Sequence, residues 1–339
     1  MKPTTAVTPS SADWLRPLGT TGLVVSAIAA GGGPIGGMPE LFGYDVPERQ
    51  GIDLVRDILR SPIRVIDTAN GYSNGKSEQR IGDAVRESGG LPAGFLVATK
   101  VDARDGDYSG KRIRDSIRES QDRLGWETFP LVQLHDPEFH PDAGFDLPGG
   151  AIEALLQLRE EGVIQHLGVA GGHVPTMHRM LDSGAFEVIL THSRLTLLDR
   201  SADELVDRAV DGGLGVMNAA VLGGGLLASR GAKPLYGFRP ARPEILAAAK
   251  SMHDLADELG VSLADAAVQH SLRDSRVDVT VVGFSKPARL SSLLASLEQP
   301  IDDEFWRRVD ALRPSPGLWL DAEATTNTTE GRLATPSKG

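Results

Sequence analysis

Eight short runs rich in valine, isoleucine and leucine, each separated from the next by a longer segment of helical period, constrain this 339-residue chain more than any other feature. The runs are VSAIAAGG (25–32), IRVIDTA (63–69), FLVATKV (95–101), LVQLHD (131–136), QHLGVAG (165–171), FEVILTH (186–192), LGVMNAA (214–220) and VTVVGF (279–284). Most are apolar throughout rather than alternating, the pattern of parallel strands covered on both faces. Between them the spacing predicts helices near 47–60, 76–88, 110–124, 149–161, 173–183, 201–211, 243–258, 262–273 and 286–296. Strands and helices alternating in this way predict parallel strands joined by crossover helices.

Eight such units favour closure into a single α/β domain, a (β/α)₈ barrel over residues 13–321. An open doubly wound sheet needs a G-x-G-x-x-G turn that leads into a helix. The Gly-rich AAGGGPIGG (29–37) runs instead into MPELFGYD. A flexible N-terminal segment (1–12) and a disordered C-terminal tail (322–339) are expected to flank the barrel, the tail because AEATTNTTEGRLATPSKG is polar and rich in threonine.

Composition removes several function classes. Lys plus Arg number 35 against 46 Asp plus Glu, a formal charge of −11 that repels a nucleic acid. The absence of cysteine excludes thiolate chemistry, disulfides and Cys-ligated metals. No apolar run approaches the roughly 20 residues that cross a bilayer, and the N-terminus has no apolar signal core. The expectation is a cytoplasmic protein with a small-molecule substrate and no membrane partner; the oligomeric state is not legible.

Barrel enzymes carry their chemistry on the C-terminal ends of strands and the loops that follow. Here those ends supply Asp67, Tyr72 five residues later, Lys100 and His135. Each alone has an ordinary structural reading. Together, a lysine, an aspartate and a histidine inside apolar runs are costly to bury unless they pair with one another. Carbonyl reduction needs a proton on oxygen, and a tyrosine, with a free pKa of about 10, donates it more readily beside a cation. At about 4 Å a unit charge is worth roughly 1 kcal/mol in water but roughly 4 kcal/mol at an effective dielectric near 20, about a thousandfold in acidity. The set therefore demands a dry site: Lys100 as the cation, Asp67 orienting it, His135 holding the substrate oxygen.

These residues lie in DTANGY (67–72), ATK (98–100) and LHD (134–136), and on them the chain resembles the aldo-keto reductase superfamily. The likeness extends from LGTTGLVVSAIAAGG through GYSNGKSEQRIGDAV and LGVAGG to VVGFSKPARL. Through YSGKRIRDSIRESQDRLG, LVQLHDPE and HSRLTLLDRS it is most similar to the bacterial branch that includes D-threo-aldose 1-dehydrogenase and L-fucose dehydrogenase. The resemblance implies NAD or NADP across the barrel mouth, with a lean to NAD from the sugar-dehydrogenase branch, and a sugar or small carbonyl substrate. It places the pyrophosphate at NAAVLGGGLL, using Gly223, Gly224, Gly225 and Leu226, and the adenosine near Ser285, Lys286 and Arg289. Around the nicotinamide the chain departs from the family: the usual Ser-Asn pair is Ala170-Gly171, the usual glutamine is His192, and the usual aromatic is Asn218. Ser292 and Leu293 replace a Glu-Asn pair on the adenine side, and Gly283 replaces a lysine. Substrate contacts are expected from 38–48, DARDGDY and GLWL; Phe42, Tyr44 and Trp319 each fit a pocket wall or structural packing equally, and Asp102 and Asp136 are candidates to receive hydroxyls.

Two other functions fit a barrel of this kind. One is a cofactor-binding regulatory subunit with little turnover, a role the same fold serves in potassium channels. The other is a metal-dependent hydrolase, against which the absence of any H-x-H pair on a strand argues, so no metal ligand is assigned.

Overall fold

The computed structural model describes residues 7–39 and 44–322. Among them eight parallel strands close a barrel: β1 (Ile28–Gly31), β2 (Val65–Asp67), β3 (Leu96–Val101), β4 (Phe129–His135), β5 (Ile164–Gly171), β6 (Val188–His192), β7 (Gly215–Ala219) and β8 (Val279–Gly283). Closure is direct, since β8 pairs with β7 on one side and β1 on the other. Crossovers are made by α1 (Glu48–Arg60), α2 (Lys76–Glu87), α3 (Gly110–Leu124), α4 (Ala151–Glu160), α5 (Val174–Asp182), α6 (Asp203–Asp211), and the pair α7 (Pro243–Leu259) and α8 (Leu263–Leu272). Beyond β8 come α9 (Pro287–Ser296) and α10 (Asp303–Ala311).

Local chemistry sets the helix ends. Ser109 and Ser262 accept the first free N–H groups of α3 and α8, while Gly125 and Gly260 take the left-handed conformation that stops α3 and α7. Inside the barrel, alternation sends Ala29, Val65, Ala98, Leu131, Val188, Leu190, Met217 and Val281 into one apolar cluster. The intervening residues face the helices in a larger core.

Three elements differ from the sequence expectation. The first apolar run is divided: Val24–Ser26 pairs antiparallel with Leu15–Pro17, and only Ile28–Gly31 enters the barrel. The turn LGTTG between the two short strands carries the signal for this ribbon. Residues 7–12 are not loose, because Val7 is buried in the core and Ser11 donates its N–H to Thr8 O. Helix α10, capped by Asp302, was not expected. The proposed tail lies almost wholly outside the described residues, as does Phe42. Among the described residues no helix is long and apolar enough to cross a membrane.

Candidate active site

The strand registers decide which side chains meet at the barrel mouth. Asp67 lies opposite Ala98, Lys100 opposite Gln133, and His135 opposite Ala170. Ala98 and Leu131 belong to the interior cluster, so residues two or four positions along the same strands, Lys100, Gln133 and His135, point inward too. Tyr72 reaches them from a tight turn in which Ser73, Asn74 and Gly75 all have positive φ. The outer side of that turn is pinned by buried Glu78, which accepts from Thr99 Oγ1 at 2.6 Å and Arg123 Nη1 at 3.0 Å. Arg123 also donates to Asn70 O.

The four residues form one assembly. The Lys100 ammonium donates to Asp67 Oδ2 at 2.7 Å, to Thr68 O at 2.8 Å and to Tyr72 Oη at 3.4 Å, committing all three of its hydrogens. The other Asp67 oxygen accepts from Gln133 Nε2 at 2.9 Å. His135 packs edge-on against the Tyr72 ring, with centroids 5.5 Å apart. Its Nδ1 lies 2.7 Å from Asp102 Oδ1, and its Nε2 lies 3.6 Å from Asp136 Oδ2.

Burial and charge oppose one another here. Burial works against the Lys100 charge, yet Asp67 outweighs it and raises the ammonium pKa, so Lys100 stays protonated. Tyr72 is half-buried, and desolvation of its hydroxyl pushes its pKa up to about 12 although Lys100 pulls it down. The expected drop toward neutrality is not realised, because burial of the hydroxyl outweighs the pull of Lys100, and Asp67 adds to the rise. Burial disfavours a charged His135, but Asp136 and Asp102 offset it and hold its pKa above the ordinary value. Burial also opposes the Asp136 charge; the two histidines beside it prevail and lower its pKa.

The structure brings some of the expected cofactor residues to the mouth and not others. His192, at the end of β6, is buried beside Asp136 and Glu138 at 3.7 Å from each, with Phe238 edge-on to its ring. Its Nδ1 has no hydrogen-bond partner. Ala170 faces inward, whereas Gly171 faces α5, where an added Cβ would meet Glu138 Oε2 at 2.6 Å and Met177 Sδ at 2.9 Å. Asn218 is a correction: alternation turns its amide out of the barrel, where it donates to Leu195 O and Ser271 Oγ, and Ala219 takes the mouth side. Leu226 is buried in a second core with Leu197, Leu198 and Tyr236, so only its backbone is available to a ligand. Gly223, Gly224 and Gly225 all have positive φ, and the N–H groups of Gly223 and Gly225 close turns onto Ala220 and Leu222. Arg289 lines a groove with Leu222, Ser262, Asp265, Ser292 and Gly283. Ser285, whose carbonyl accepts from Gln50 at 2.7 Å, and Lys286, the N-cap of α9, lie beside it in sequence.

Gln133 and Glu138 were missed as site residues, and Asp102 was given a different role. Asp102 was expected to receive substrate hydroxyls, but its oxygens are occupied by His135 and by Gly71 N–H at 2.6 Å. Glu138 accepts the N–H groups of Gly172 and His173 at the start of α5. Asp136, Glu138 and His192 each bring one polar atom within 4.8 Å of the others, and Glu138 is the companion of His192 that spacing did not reveal.

A barrel with a paired lysine, a tyrosine and a histidine at its mouth can move a proton to or from a substrate oxygen. The Aldo/keto reductase family model matches residues 28–314. The chain belongs to the aldo/keto reductase family. It is 30% identical to pyridoxal 4-dehydrogenase of Microbacterium luteolum, with 86% of this chain and 95% of the relative covered. Identity is also 30% with L-galactose dehydrogenase of Arabidopsis thaliana (88% and 93%), and 29% with D-threo-aldose 1-dehydrogenase of a Pseudomonas species (82% and 92%). A holo-form aldo-keto reductase from Bacillus halodurans shares the fold at a TM-score of 0.73 and 22% identity, covering 91% of this chain and 98% of that one. This aldo/keto reductase is thus an oxidoreductase of a family that works with nicotinamide cofactors.

Proposed function

We propose that this aldo/keto reductase moves a hydride between a nicotinamide cofactor and C1 of an aldose, giving a lactone, or reduces a small aldehyde or ketone in the opposite direction. The observation that carries the reading is the buried line from Asp67 through Lys100 to Tyr72 Oη, with His135 against the tyrosine ring. The names of two relatives, L-galactose dehydrogenase and D-threo-aldose 1-dehydrogenase, support a sugar.

The bound nicotinamide supplies or accepts the hydride. Tyr72 exchanges the proton with the substrate oxygen, and its high pKa keeps it a proton donor at neutral pH, the form that reduction requires. Lys100 offsets the charge that develops on Tyr72 Oη, Asp67 and Gln133 hold Lys100 in place, and His135 orients the substrate oxygen. The unpartnered Nδ1 of His192 suits a polar ring substituent, with Ala170 and Gly171 contributing backbone only. The glycine turn at 223–225 would lie against the pyrophosphate, its N–H groups and that of Leu226, which donates to Gly223 O at 3.2 Å, turning from their internal partners to the phosphate. Ser285, Lys286 and Arg289 would flank the adenosine. Asp265 in the Arg289 groove favours NAD, since a carboxylate accepts ribose hydroxyls and repels a 2′-phosphate.

The test is a spectrophotometric screen of aldoses with NAD⁺ and NADP⁺, and of aldehydes with both reduced cofactors. Turnover of at least one aldose with NAD⁺ is expected. Tight cofactor binding without turnover of any substrate contradicts the reading.

A further inference from the structure

A single carboxylate ties together the two parts of the site that touch the substrate oxygen. Asp102 follows β3, two residues beyond Lys100 and therefore on the same inward side. The register that sets Val101 opposite Leu134 places it beside His135. Its Oδ1 lies 2.7 Å from His135 Nδ1, and its Oδ2 accepts the Gly71 N–H at 2.6 Å, one residue before Tyr72. The approach is close enough to require glycine at 71, where a Cβ would lie 2.9–3.0 Å from the carboxyl atoms. Asp102 is itself held from behind: its N–H donates to Ser116 Oγ at 3.2 Å and its carbonyl accepts from Arg112 Nε at 3.2 Å. This is a buried, fully directed carboxylate with no freedom to serve a ligand.

We propose that Asp102 is a positioning residue that fixes the His135 ring with its proton on Nδ1 and locks it to the Tyr72 turn, leaving Nε2 to face the reacting oxygen. The inference rests on the oxidoreductase reading above. An ionised carboxylate only accepts, so the nitrogen against it must carry the hydrogen. In the neutral ring Nε2 is then a bare acceptor; in the cation it becomes a donor. Reduction needs the cation, which can hydrogen-bond a carbonyl oxygen, and alcohol oxidation is served by the neutral ring, which accepts from a hydroxyl. The titratable groups facing the ring are Asp102 and Lys100 from β3 and its end, Tyr72 from the β2 turn, Asp136 from the following loop, and His192 with Glu138 behind Asp136. The two adjacent carboxylates favour the cation, Lys100 and burial oppose it, and the balance lies toward the cation. Removing the Asp102 charge therefore lowers the pH at which His135 loses its proton.

The experiment is long-range ¹H–¹⁵N NMR of the histidine rings in the full chain, with the His135 signals identified by their loss in His135→Gln. In the wild type the neutral ring is expected to carry its hydrogen on Nδ1, with a titration midpoint above the ordinary 6.5 or so. In Asp102→Asn the midpoint moves down, and reduction declines from a correspondingly lower pH. There kcat falls at least about tenfold while cofactor KM stays within about twofold. A wild-type ring protonated on Nε2, or an Asp102→Asn midpoint and pH profile unchanged from wild type, overturns the proposal. The spectra need no turnover, so they decide this assignment separately from the substrate screen that decides the oxidoreductase reading.

Discussion

Replacing Lys100 with methionine separates what the lysine does for the fold from what it does for the chemistry. In the wild type Nζ stands 3.4 Å from Tyr72 Oη. At an effective dielectric near 20, a cation at that distance is worth about 5 kcal/mol to a full phenolate, and about half of that to a transition state with half the charge. Losing about 2.5 kcal/mol lowers kcat by nearly two powers of ten. The substitution also leaves Asp67, only 3% exposed, with Gln133 Nε2 as its remaining side-chain partner. Breaking a buried pair in this way costs about 3–5 kcal/mol of stability. The double variant Asp67→Asn/Lys100→Met removes the stranded charge. It should recover most of the stability in urea unfolding followed by tryptophan fluorescence, while its kcat stays as low as that of the single variant. A single variant within about threefold of wild-type kcat refutes the reasoning, as does a double variant whose turnover returns together with its stability.

Further predictions concern the surroundings of the site. Arg194 and Asp321 form a buried two-pronged pair, both hydrogen bonds 2.9 Å long, that fastens the C-terminal segment to the loop after β6; Arg194→Met should lower the unfolding free energy by about 3–5 kcal/mol, and an unchanged urea midpoint would contradict this. Burial, reinforced by Arg200, depresses the His270 pKa to about 3, so the folded state resists a proton that the unfolded state takes up near 6.5. Stability should therefore fall as pH drops from about 6.5 toward 3, with a slope of up to about 1.4 kcal/mol per pH unit that His270→Gln abolishes, as read from urea midpoints across that range. Asp265→Asn in the Arg289 groove should raise kcat/KM for NADP relative to NAD by about tenfold, or about 1.4 kcal/mol; a ratio unmoved in steady-state assays would show that Asp265 does not meet the ribose.

The barrel was legible because parallel strands covered on both faces write themselves as continuous apolar runs, and each of the eight runs overlaps a barrel strand. The meeting of Asp67, Lys100 and His135 was legible because strand ends inside such runs are poor places for Asp, Lys and His unless they pair. The neighbours were harder, since they depend on which way a side chain points. Asn218 was placed by alignment with a family position, but the alternation that buries Met217 inward sends Asn218 outward to α8. The same alternation carries Asp102 inward after Ala98 and Lys100, and with β3 and β4 adjacent it would have set Asp102 beside His135 before any coordinates. Glu138 could not be foreseen, because its partners, the N–H groups that open α5, come together with it only through the β4–β5 pairing. The N-terminal ribbon was marked only by its LGTTG turn, since Val25 of its second strand is separated from β1 by only two residues and reads as part of the same run.

The most direct test of the central claim compares Tyr72→Phe with wild type on the best substrate and cofactor from the screen, following nicotinamide absorbance for turnover and fluorescence titration for cofactor affinity. Tyr72 supplies the only hydroxyl that Lys100 contacts among the described residues. The account predicts kcat lower by at least about a hundredfold with cofactor affinity within about twofold of wild type. Turnover by Tyr72→Phe close to the wild-type rate would contradict it.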